Sequence, residues 1–294
     1  MKILITGATG YLGSEIVKYL IKHNHKIVIL KRTISSMEKL KQIKKNLICY
    51  NLDSIDLSTP FVEQGNFDLI IHTATCYGKK GEKKKEIFEA NTLFPIKLLE
   101  TSIYYNTKLF INTDTYYNTK QKECEYLSNY VLSKKKFIKS AKSLALKKKI
   151  KIINMRLEHV YGPSDSNSKF VNWLVSSLCK GDKNIKLTKG EQQRDLIFIN
   201  DVVNAYSVVL KNISKIKGYY TDIGVGSGDT IMLKDFVELA HKLSKSKSKL
   251  IFGSIPYQKN EIMISKADNK ILKNFNWNCK FDIKKGLNQV IKFI

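Results

Sequence analysis

Short apolar runs alternate with amphipathic stretches along the first half of the chain. Six such runs predict buried strands, over residues 2–6, 26–30, 47–50, 67–72, 108–112 and 151–155. Helical periodicity follows the first run over 14–21, and longer helices are predicted over 83–105 and 127–146. Strands that alternate with helices in this way indicate an α/β fold, a doubly wound parallel sheet of the Rossmann type.

The pattern loosens after Tyr161-Gly162-Pro163, which indicates a second, smaller lobe. A helix is predicted over 170–179 and a further strand over 219–223. We expect a Rossmann domain over residues 1–165 with 195–225 returning to it, and a substrate-binding lobe formed by 166–194 and 226–294.

A glycine-rich turn connects the first strand to the first helix. Gly7, Gly10 and Gly13 let the backbone approach a phosphate closely, and the helix start offers N–H groups and a partial positive charge. The turn therefore predicts a dinucleotide site, with an ordinary tight turn as the alternative. The expected contacts in this turn are Gly7, Thr9, Gly10, Tyr11, Leu12 and Gly13.

Basic and hydroxyl residues follow the second strand, where such folds hold the adenosine ribose. An acid there suits the 2′-hydroxyl of NAD, whereas Lys31, Arg32, Ser35 and Ser36 suit the 2′-phosphate of NADP. These residues favour NADP(H) over NAD(H), with a solvated loop as the alternative.

Small and polar residues at the ends of the next strands extend the predicted cofactor site. The residues expected there are Asn51, Leu52, Thr73, Ala74 and Thr75. We expect His72, which immediately precedes Thr73, to be a packed residue of the strand end rather than a catalyst.

Tyr130 and Lys134 have a spacing that places both side chains on one helix face. Thr113 ends the fifth strand, so the three groups can meet above a nicotinamide. A carbonyl that gains hydride needs a proton, and an ammonium about 4 Å away could lower the phenol pKa by ~3 units for this purpose. Thr113 would hydrogen-bond the carbonyl oxygen. We therefore predict Thr113, Tyr130 and Lys134 as catalytic residues, with a surface Tyr/Lys pair as the alternative.

The formal net charge of +25 could suggest nucleic acid, but its distribution does not. Only Arg32, Arg156 and Arg194 are arginine, and lysines run throughout without interleaved aromatic residues. The five cysteines are scattered, no apolar run is long enough to span a membrane, and no signal peptide is evident. We expect a cytoplasmic protein that binds no nucleic acid, no membrane and no metal.

Several motifs together resemble the extended short-chain dehydrogenase/reductases, the nucleotide-sugar epimerase/dehydratase group. They are TGATGYLG at 6–13, IHTAT at 71–75, Asn91, NTDTYYN at 112–118, YVLSK at 130–134, RLEHVYGP at 156–163, GEQQRDLIFINDVV at 190–203 and DIGVGSG at 222–228. The resemblance implies a bound NAD(P), contacted also by Asn91, Tyr130 and Lys134, with Lys134 at the nicotinamide ribose. It also implies a nucleotide-diphosphate sugar as substrate and a homodimer formed through the two long helices.

Departures from the family pattern reduce the number of reactions that the resemblance allows. The 4,6-dehydratases of this family have Thr-Asp-Glu where this chain has Thr113, Asp114 and Thr115. Family reductases that also epimerise have cysteine at the third of these positions. The base for C5 proton abstraction is thus missing. C4 epimerases typically retain NAD, whereas Arg32 favours NADP(H).

The remaining chemistry is hydride delivery to a keto-sugar. The chain most resembles the 3,6-dideoxysugar reductases of the abequose synthase type, which implies NADPH-dependent C4 reduction of a CDP-4-keto-3,6-dideoxyhexose for surface polysaccharide such as lipopolysaccharide or capsule. A C4 epimerase and a dinucleotide-sensing regulator are the alternatives.

The resemblance also implies a set of substrate-binding residues. Arg194 lies in the segment where the family holds the diphosphate, and His159 lies where many relatives have asparagine beside the sugar phosphate. The full expected set is Thr113, Asp114, Thr115, His159, Arg194 and Tyr257.

Overall fold

A computed structural model describes residues 1–118 and 127–294 of the 294-residue chain. Cys124, one of the five cysteines considered above, lies outside the described residues.

The first six of the described strands coincide with the six predicted apolar runs. They are β1 (Lys2–Thr6), β2 (Lys26–Lys31), β3 (Leu47–Asn51), β4 (Leu69–His72), β5 (Leu109–Thr115), β6 (Lys151–Leu157), β7 (His159–Tyr161), β8 (Asn184–Lys186), β9 (Gln193–Arg194), β10 (Leu196–Phe198), β11 (Tyr220–Val225), β12 (Ile231–Met232), β13 (Lys249–Ile251) and β14 (Ile264–Ser265).

The described α-helices alternate with these strands in the first half of the chain. They are α1 (Tyr11–Lys22), α2 (Thr59–Gln64), α3 (Lys84–Phe88), α4 (Phe94–Tyr104), α5 (Ser128–Ala145), α6 (Phe170–Lys180), α7 (Ile199–Lys211), α8 (Leu233–Ser244), α9 (Lys270–Asn274) and α10 (Ile283–Phe293).

A parallel sheet with helices around it confirms the predicted doubly wound Rossmann-type fold. Its strand order is β11-β6-β5-β4-β1-β2-β3, so the order reverses between β1 and β4. In the register, Thr6 of β1 pairs with both Leu30 and His72, and His72 pairs with Asn112. Strand ends that lie side by side at such a reversal form the usual ligand-binding edge of this fold class.

The core of this sheet explains why the strands are continuously apolar. Leu4, Val28, Ile70, Phe110 and Ile152 are fully buried in it, since helices cover them. Residues of α4 and α5 complete the cluster, namely Leu98, Leu99, Phe137, Ala141 and Ala145.

The long helix predicted over 83–105 is helical throughout 84–104 and contains a π-helical turn. This turn, Glu89–Leu93, joins α3 to α4 and has the buried Asn91 at its centre. Pro95 lies in the first turn of α4, and its ring nitrogen cannot donate to the carbonyl of Asn91. The proline thus accounts for the departure from regular α-helical hydrogen bonding, and π turns of this kind occur often at functional sites.

Strand β5 is longer than the apolar pattern predicted. It continues through Thr113, Asp114 and Thr115, although these residues are polar. The prediction ended the apolar run at Asn112 and the strand at Thr113 because the residues that follow are polar, but these polar side chains find buried partners, as described below.

The chain divides into two compact units. Residues 1–118, 127–156 and 212–223 form the first unit, and the described part of the second consists of 157–211 and 224–294. Residues 195–211 therefore belong to the second unit by compactness, whereas the sequence led us to place them with the first. That one unit binds the dinucleotide and the other binds the substrate stays a prediction.

Within the described ranges, we find no helix that combines the length and the apolar character needed to cross a bilayer.

Candidate active site

The glycine turn of the first unit is packed too closely for side chains. A Cβ on Gly7, whose φ is +72°, would lie 2.4 Å from the backbone nitrogen of Ala74, and one on Gly13 would lie 2.1 Å from the carbonyl oxygen of Gly7. Gly10 occupies the N-cap position of α1. The predicted residues 7–13 and 73–74 therefore form one backbone cradle, and it fits the pyrophosphate of a dinucleotide.

The ends of β2 and β3 are side by side, with Lys31 paired to Asn51. The Thr33 N–H donates to both carboxylate oxygens of Asp53, at 2.9 and 3.1 Å, and these bonds lower the pKa of Asp53. Arg32 is exposed beside this turn. Sequence reasoning did not anticipate that Asp53 orders the backbone next to Arg32, because the partners are 20 residues apart.

Strand β4 ends with a packed histidine, and a loop of small residues follows it. His72 is 1% exposed, and a 2.7 Å hydrogen bond joins its Nδ1 to Thr6 Oγ1. Burial lowers the pKa of His72 well below its ordinary value, so the ring is neutral. The structure thus places His72 in the core. Thr73, Ala74 and Thr75 follow it as partly exposed residues.

Asn91 fixes this loop from the π turn. Its side-chain Oδ1 accepts the N–H of Cys76 at 2.8 Å, and its Nδ2 donates to the carbonyl of Cys76 at 2.7 Å and to Ser133 Oγ at 3.1 Å. The side-chain amide therefore ties the loop after β4 to α5. The cofactor contact expected of Asn91 stays a prediction.

The predicted catalytic groups come together where α5 passes the end of β5. Lys134 Nζ donates to the carbonyl oxygen of Thr113 at 2.9 Å, and the Thr115 side chain lies close enough to the Tyr130 phenol to influence its pKa. Tyr130 and Lys134 are only 4% and 2% exposed. The contact with Thr115 was not foreseen; it follows from the extension of β5, since residues 113 and 115 of a strand share a face.

Burial dominates the protonation of both groups. It raises the pKa of Tyr130 well above its ordinary value and lowers the pKa of Lys134 to about 8, an effect that the charge of Asp114 opposes. In this geometry the ammonium faces the Thr113 carbonyl and burial determines the direction of the phenol pKa. That Lys134 lowers the phenol pKa stays a prediction. Tyr130 is a neutral phenol near pH 7, and it can act as a proton donor.

Asp114 has partners within a buried polar network. Its carboxylate accepts from Asn118 Nδ2 at 2.7 Å and from Asn154 Nδ2 at 3.0 Å. Asn154 on β6 also donates to Asp222 on β11 at 2.7 Å and accepts from Asn112 at 2.6 Å. The structure uses Asp114 to connect three strands, and its expected substrate contact stays a prediction. The polar Asn154 inside an apolar run was the signal that could have revealed this network.

Arg194 lies on β9 in the second unit and is 6% exposed. Its Nη2 donates to Glu261 Oε1 at 2.5 Å, and its Nη1 donates to the carbonyl of Gln193 at 3.1 Å. Tyr257 donates its hydroxyl proton to Glu191 at 2.9 Å. Glu261, 67 residues from Arg194, was not recognised in the sequence.

His159 begins β7 and has an acid beside it. Its Nδ1 is 3.7 Å from Glu158 Oε2, and Ser265 Oγ donates to the same carboxylate oxygen. Glu158 is 7% exposed. Sequence reasoning singled out His159 but missed Glu158, which stands next to it in the chain and accompanies it in the fold.

The model of the NAD dependent epimerase/dehydratase family matches residues 3–224. The CDP-abequose synthase of Salmonella typhimurium strain LT2 is 36% identical over 296 residues, which cover 99% of this chain and 97% of that protein. The CDP-abequose synthase of Salmonella muenchen is 34% identical over 99% of this chain and 97% of its own length. These matches confirm the predicted family resemblance.

Solved structures show the same fold. The UDP-glucuronic acid 4-epimerase from Bacillus cereus, in complex with UDP-glucuronic acid and NAD, superposes with a TM-score of 0.86 at 20% identity and covers 100% of this chain and 98% of its own. The UDP-glucose 4-epimerase from Thermotoga maritima, with UDP-glucose, has a TM-score of 0.85 at 20% identity and the same coverage.

Proposed function

The chain belongs to the NAD dependent epimerase/dehydratase family, and we propose that it is an NADPH-dependent reductase of the C4 keto group of a nucleotide-diphosphate-linked deoxysugar, such as a CDP-4-keto-3,6-dideoxyhexose. The observation that carries the proposal is the burial of the Tyr130 phenol, which is 4% exposed, beside Thr115 at the end of β5. Tyr130 is a buried proton donor. The neighbouring Thr115 carries only a hydroxyl, which cannot remove a proton from a sugar carbon. The two CDP-abequose synthases with which the chain aligns end to end support this substrate class.

The residues of the first unit divide the work of proton delivery. The reduced nicotinamide supplies a hydride to C4 when the cofactor is bound. Tyr130 donates its phenolic proton to the C4 oxygen, and Thr113 stabilises the charge that develops there. Lys134, whose pKa of about 8 leaves it mostly charged near pH 7, holds the end of β5 through the Thr113 carbonyl and favours the resulting phenolate.

The cradle and the β2 end support NADP(H). The cradle would hold the pyrophosphate, and Arg32 with Ser35 and Ser36 would hold the 2′-phosphate. No carboxylate follows β2 directly, and Asp53, which lies beside the turn after β2, is hydrogen-bonded to the Thr33 backbone. Asn51 and Leu52 would lie beside the adenine.

In the second unit, Arg194 would bind the substrate diphosphate. A guanidinium pairs with phosphate oxygens through two parallel hydrogen bonds, which a lysine cannot imitate. In the described structure Glu261 accepts one of these donors, so we expect the diphosphate to replace that carboxylate. His159 and Tyr257 would complete the sugar-nucleotide contacts.

We also propose a homodimer in the cytoplasm. Leu93, in the π turn, and Leu132, on α5, are 47% and 41% exposed on the two helical segments that the family resemblance assigns to the interface. Cys49, Cys76, Cys179 and Cys279 are free thiols, which supports a reducing compartment. Light scattering after size exclusion should give twice the mass of 33.8 kDa, and a monomer would refute the dimer.

The proposed activity is tested with a panel of CDP-, GDP- and dTDP-linked 4-keto sugars. We expect stoichiometric NADPH oxidation with the CDP-linked 4-keto-3,6-dideoxyhexose and a single C4 alcohol in the NMR spectrum of the product. If NADPH binds tightly but no member of the panel oxidises it, the reductase proposal fails. Tightly bound NAD(H) together with interconversion of C4 epimers would instead identify a C4 epimerase.

A further inference from the structure

Tyr77, in the loop after β4, packs its ring against that of Tyr130. The ring centroids are 4.9 Å apart and the planes are inclined by 36°. Tyr77 is 44% exposed whereas Tyr130 is 4% exposed. The outer ring therefore covers part of the inner ring and separates it from solvent.

Hydrogen bonds fix the segment that carries Tyr77. The preceding residue, Cys76, has both its N–H and its carbonyl bonded to the Asn91 side chain, which also donates to Ser133 Oγ. Ser133 Oγ in turn donates to the carbonyl of Tyr130 at 2.8 Å. A continuous path of hydrogen bonds thus links the backbones beside the two tyrosines.

The residue after Tyr77 turns the chain next to α3. Gly78 has a φ of +72°, which favours glycine, and a Cβ at this position would lie 2.5 Å from Ile87 Cδ1 of α3. The hydrogen bonds of Cys76 thus hold the half-exposed ring from its preceding residue, which is how supporting residues keep a functional group in place.

We propose that Tyr77 is a positioning residue for Tyr130: its ring sets the orientation of the phenol and excludes water from one face of it. The kinetic consequence rests on the proposed reductase function, because it assumes that the Tyr130 proton goes to a substrate oxygen. The structural part, protection of Tyr130 from solvent, does not depend on that function.

The groups that surround the phenol indicate what loss of the ring would do. Tyr77, Tyr117, Asp114 and Lys134 are the titratable groups beside Tyr130. Burial is the largest contribution to the raised pKa of Tyr130, and Tyr77 is the next. Removal of the Tyr77 ring should therefore make Tyr130 easier to ionise and easier to reach.

The first test is nitration by tetranitromethane at pH 8 without substrate, followed by peptide mapping. In the natural protein we expect Tyr130 to be protected, while Tyr219, which is 43% exposed, serves as the internal reference. Tyr77→Ala should increase nitration of Tyr130 several-fold relative to Tyr219, and Tyr77→Phe should not. The matched control is Tyr104→Ala, which removes another exposed ring and should leave Tyr130 protected relative to Tyr219.

The second test is kinetic. Tyr77→Ala should lower kcat about 3- to 10-fold, the value of one aromatic pair, with the KM for NADPH unchanged, and Tyr77→Phe should restore most of the loss. If Tyr77→Ala does not fold, as judged by circular dichroism, Tyr77→Leu retains the bulk without the ring and carries the same expectations.

Protection and kcat that both stay at their natural values would overturn the inference. A raised KM for the nucleotide sugar with kcat unchanged would also overturn it, since Tyr77 would then contact substrate. If Tyr130 becomes reactive in Tyr77→Ala but no keto sugar is reduced by the natural protein, the shielding is supported and the reductase proposal fails.

Discussion

Two strand ends of the first unit hold the groups that we propose for chemistry and for cofactor choice, and they are built differently. At the end of β5, Tyr130 and Lys134 are buried, and Lys134 donates to the carbonyl of Thr113 on that strand. At the end of β2, Arg32 is exposed, and the order of its turn comes from backbone contacts such as Thr33 with Asp53.

The difference separates what each place can do. Burial moves the pKa values at β5 and makes the site costly to maintain, because charged groups lose their hydration there. The exposed guanidinium at β2 leaves the fold energetically almost untouched and is available to an incoming phosphate. We therefore expect substitutions at β5 to change turnover and stability, and substitutions at β2 to change only cofactor discrimination.

The largest expected effect is that of Tyr130→Phe. Loss of the proton donor should reduce kcat by about 10²–10⁴-fold with little change in NADPH affinity, because the substitution removes a single hydroxyl and keeps the buried ring. Stopped-flow turnover and fluorescence titration of NADPH measure the two quantities. Tyr50→Phe, which removes a hydroxyl bonded to Glu63, is the matched control and should retain turnover. Near-normal activity of Tyr130→Phe would remove the proton-donor assignment.

Lys134→Met should change the pH dependence of stability. The pKa of Lys134 is about 8 in the fold against 10.5 ordinarily, so between these values the unfolded chain binds more protons and the stability of the natural protein rises with pH. This shift corresponds to about 3 kcal/mol. The free energy of unfolding of the natural protein, relative to Lys134→Met, should therefore increase by about that amount from below pH 8 to above pH 10.

Urea unfolding of both proteins across this pH range measures the difference. Lys142→Met, whose side chain is 55% exposed beside Asp222, is the control and should show no such trend. A constant difference between Lys134→Met and the natural protein would show that the buried lysine keeps its ordinary pKa.

Arg32→Ala has the smallest expected effect and sharpens the contrast. Loss of one charge-assisted hydrogen-bonding group should raise the KM for NADPH about 10- to 100-fold and leave the KM for NADH and the melting temperature unchanged. Lys41→Ala, an exposed lysine in the next segment, is the control. An equal effect on both cofactors would contradict the assignment of Arg32 to the 2′-phosphate.

The same contrast shows which features could be predicted from sequence. Strands β1 to β6 were predictable because parallel strands buried on both faces are continuous apolar runs. The Tyr130–Lys134 pair was predictable because helical spacing is local. The exposed Arg32 was recognised from its place after β2 alone.

What escaped prediction depends on distant partners. The polar end of β5 is stabilised by the hydrogen bond that Asn154 donates to Asp114. These two residues are 40 positions apart in the chain. The raised pKa of Tyr130 comes from burial, which only the complete fold creates, and the Asn91 side chain reaches both Cys76 and Ser133, 15 and 42 residues away. Sequence spacing contains no signal for such pairs.

Deuterium transfer tests the central claim, net reduction at C4, most directly. With NADPH deuterated at nicotinamide C4 and a CDP-4-keto-3,6-dideoxyhexose, NMR of the product should show one deuterium at sugar C4, in a single configuration, for each NADP formed. A product without deuterium at C4, or interconversion of C4 epimers without net consumption of NADPH, would contradict the account.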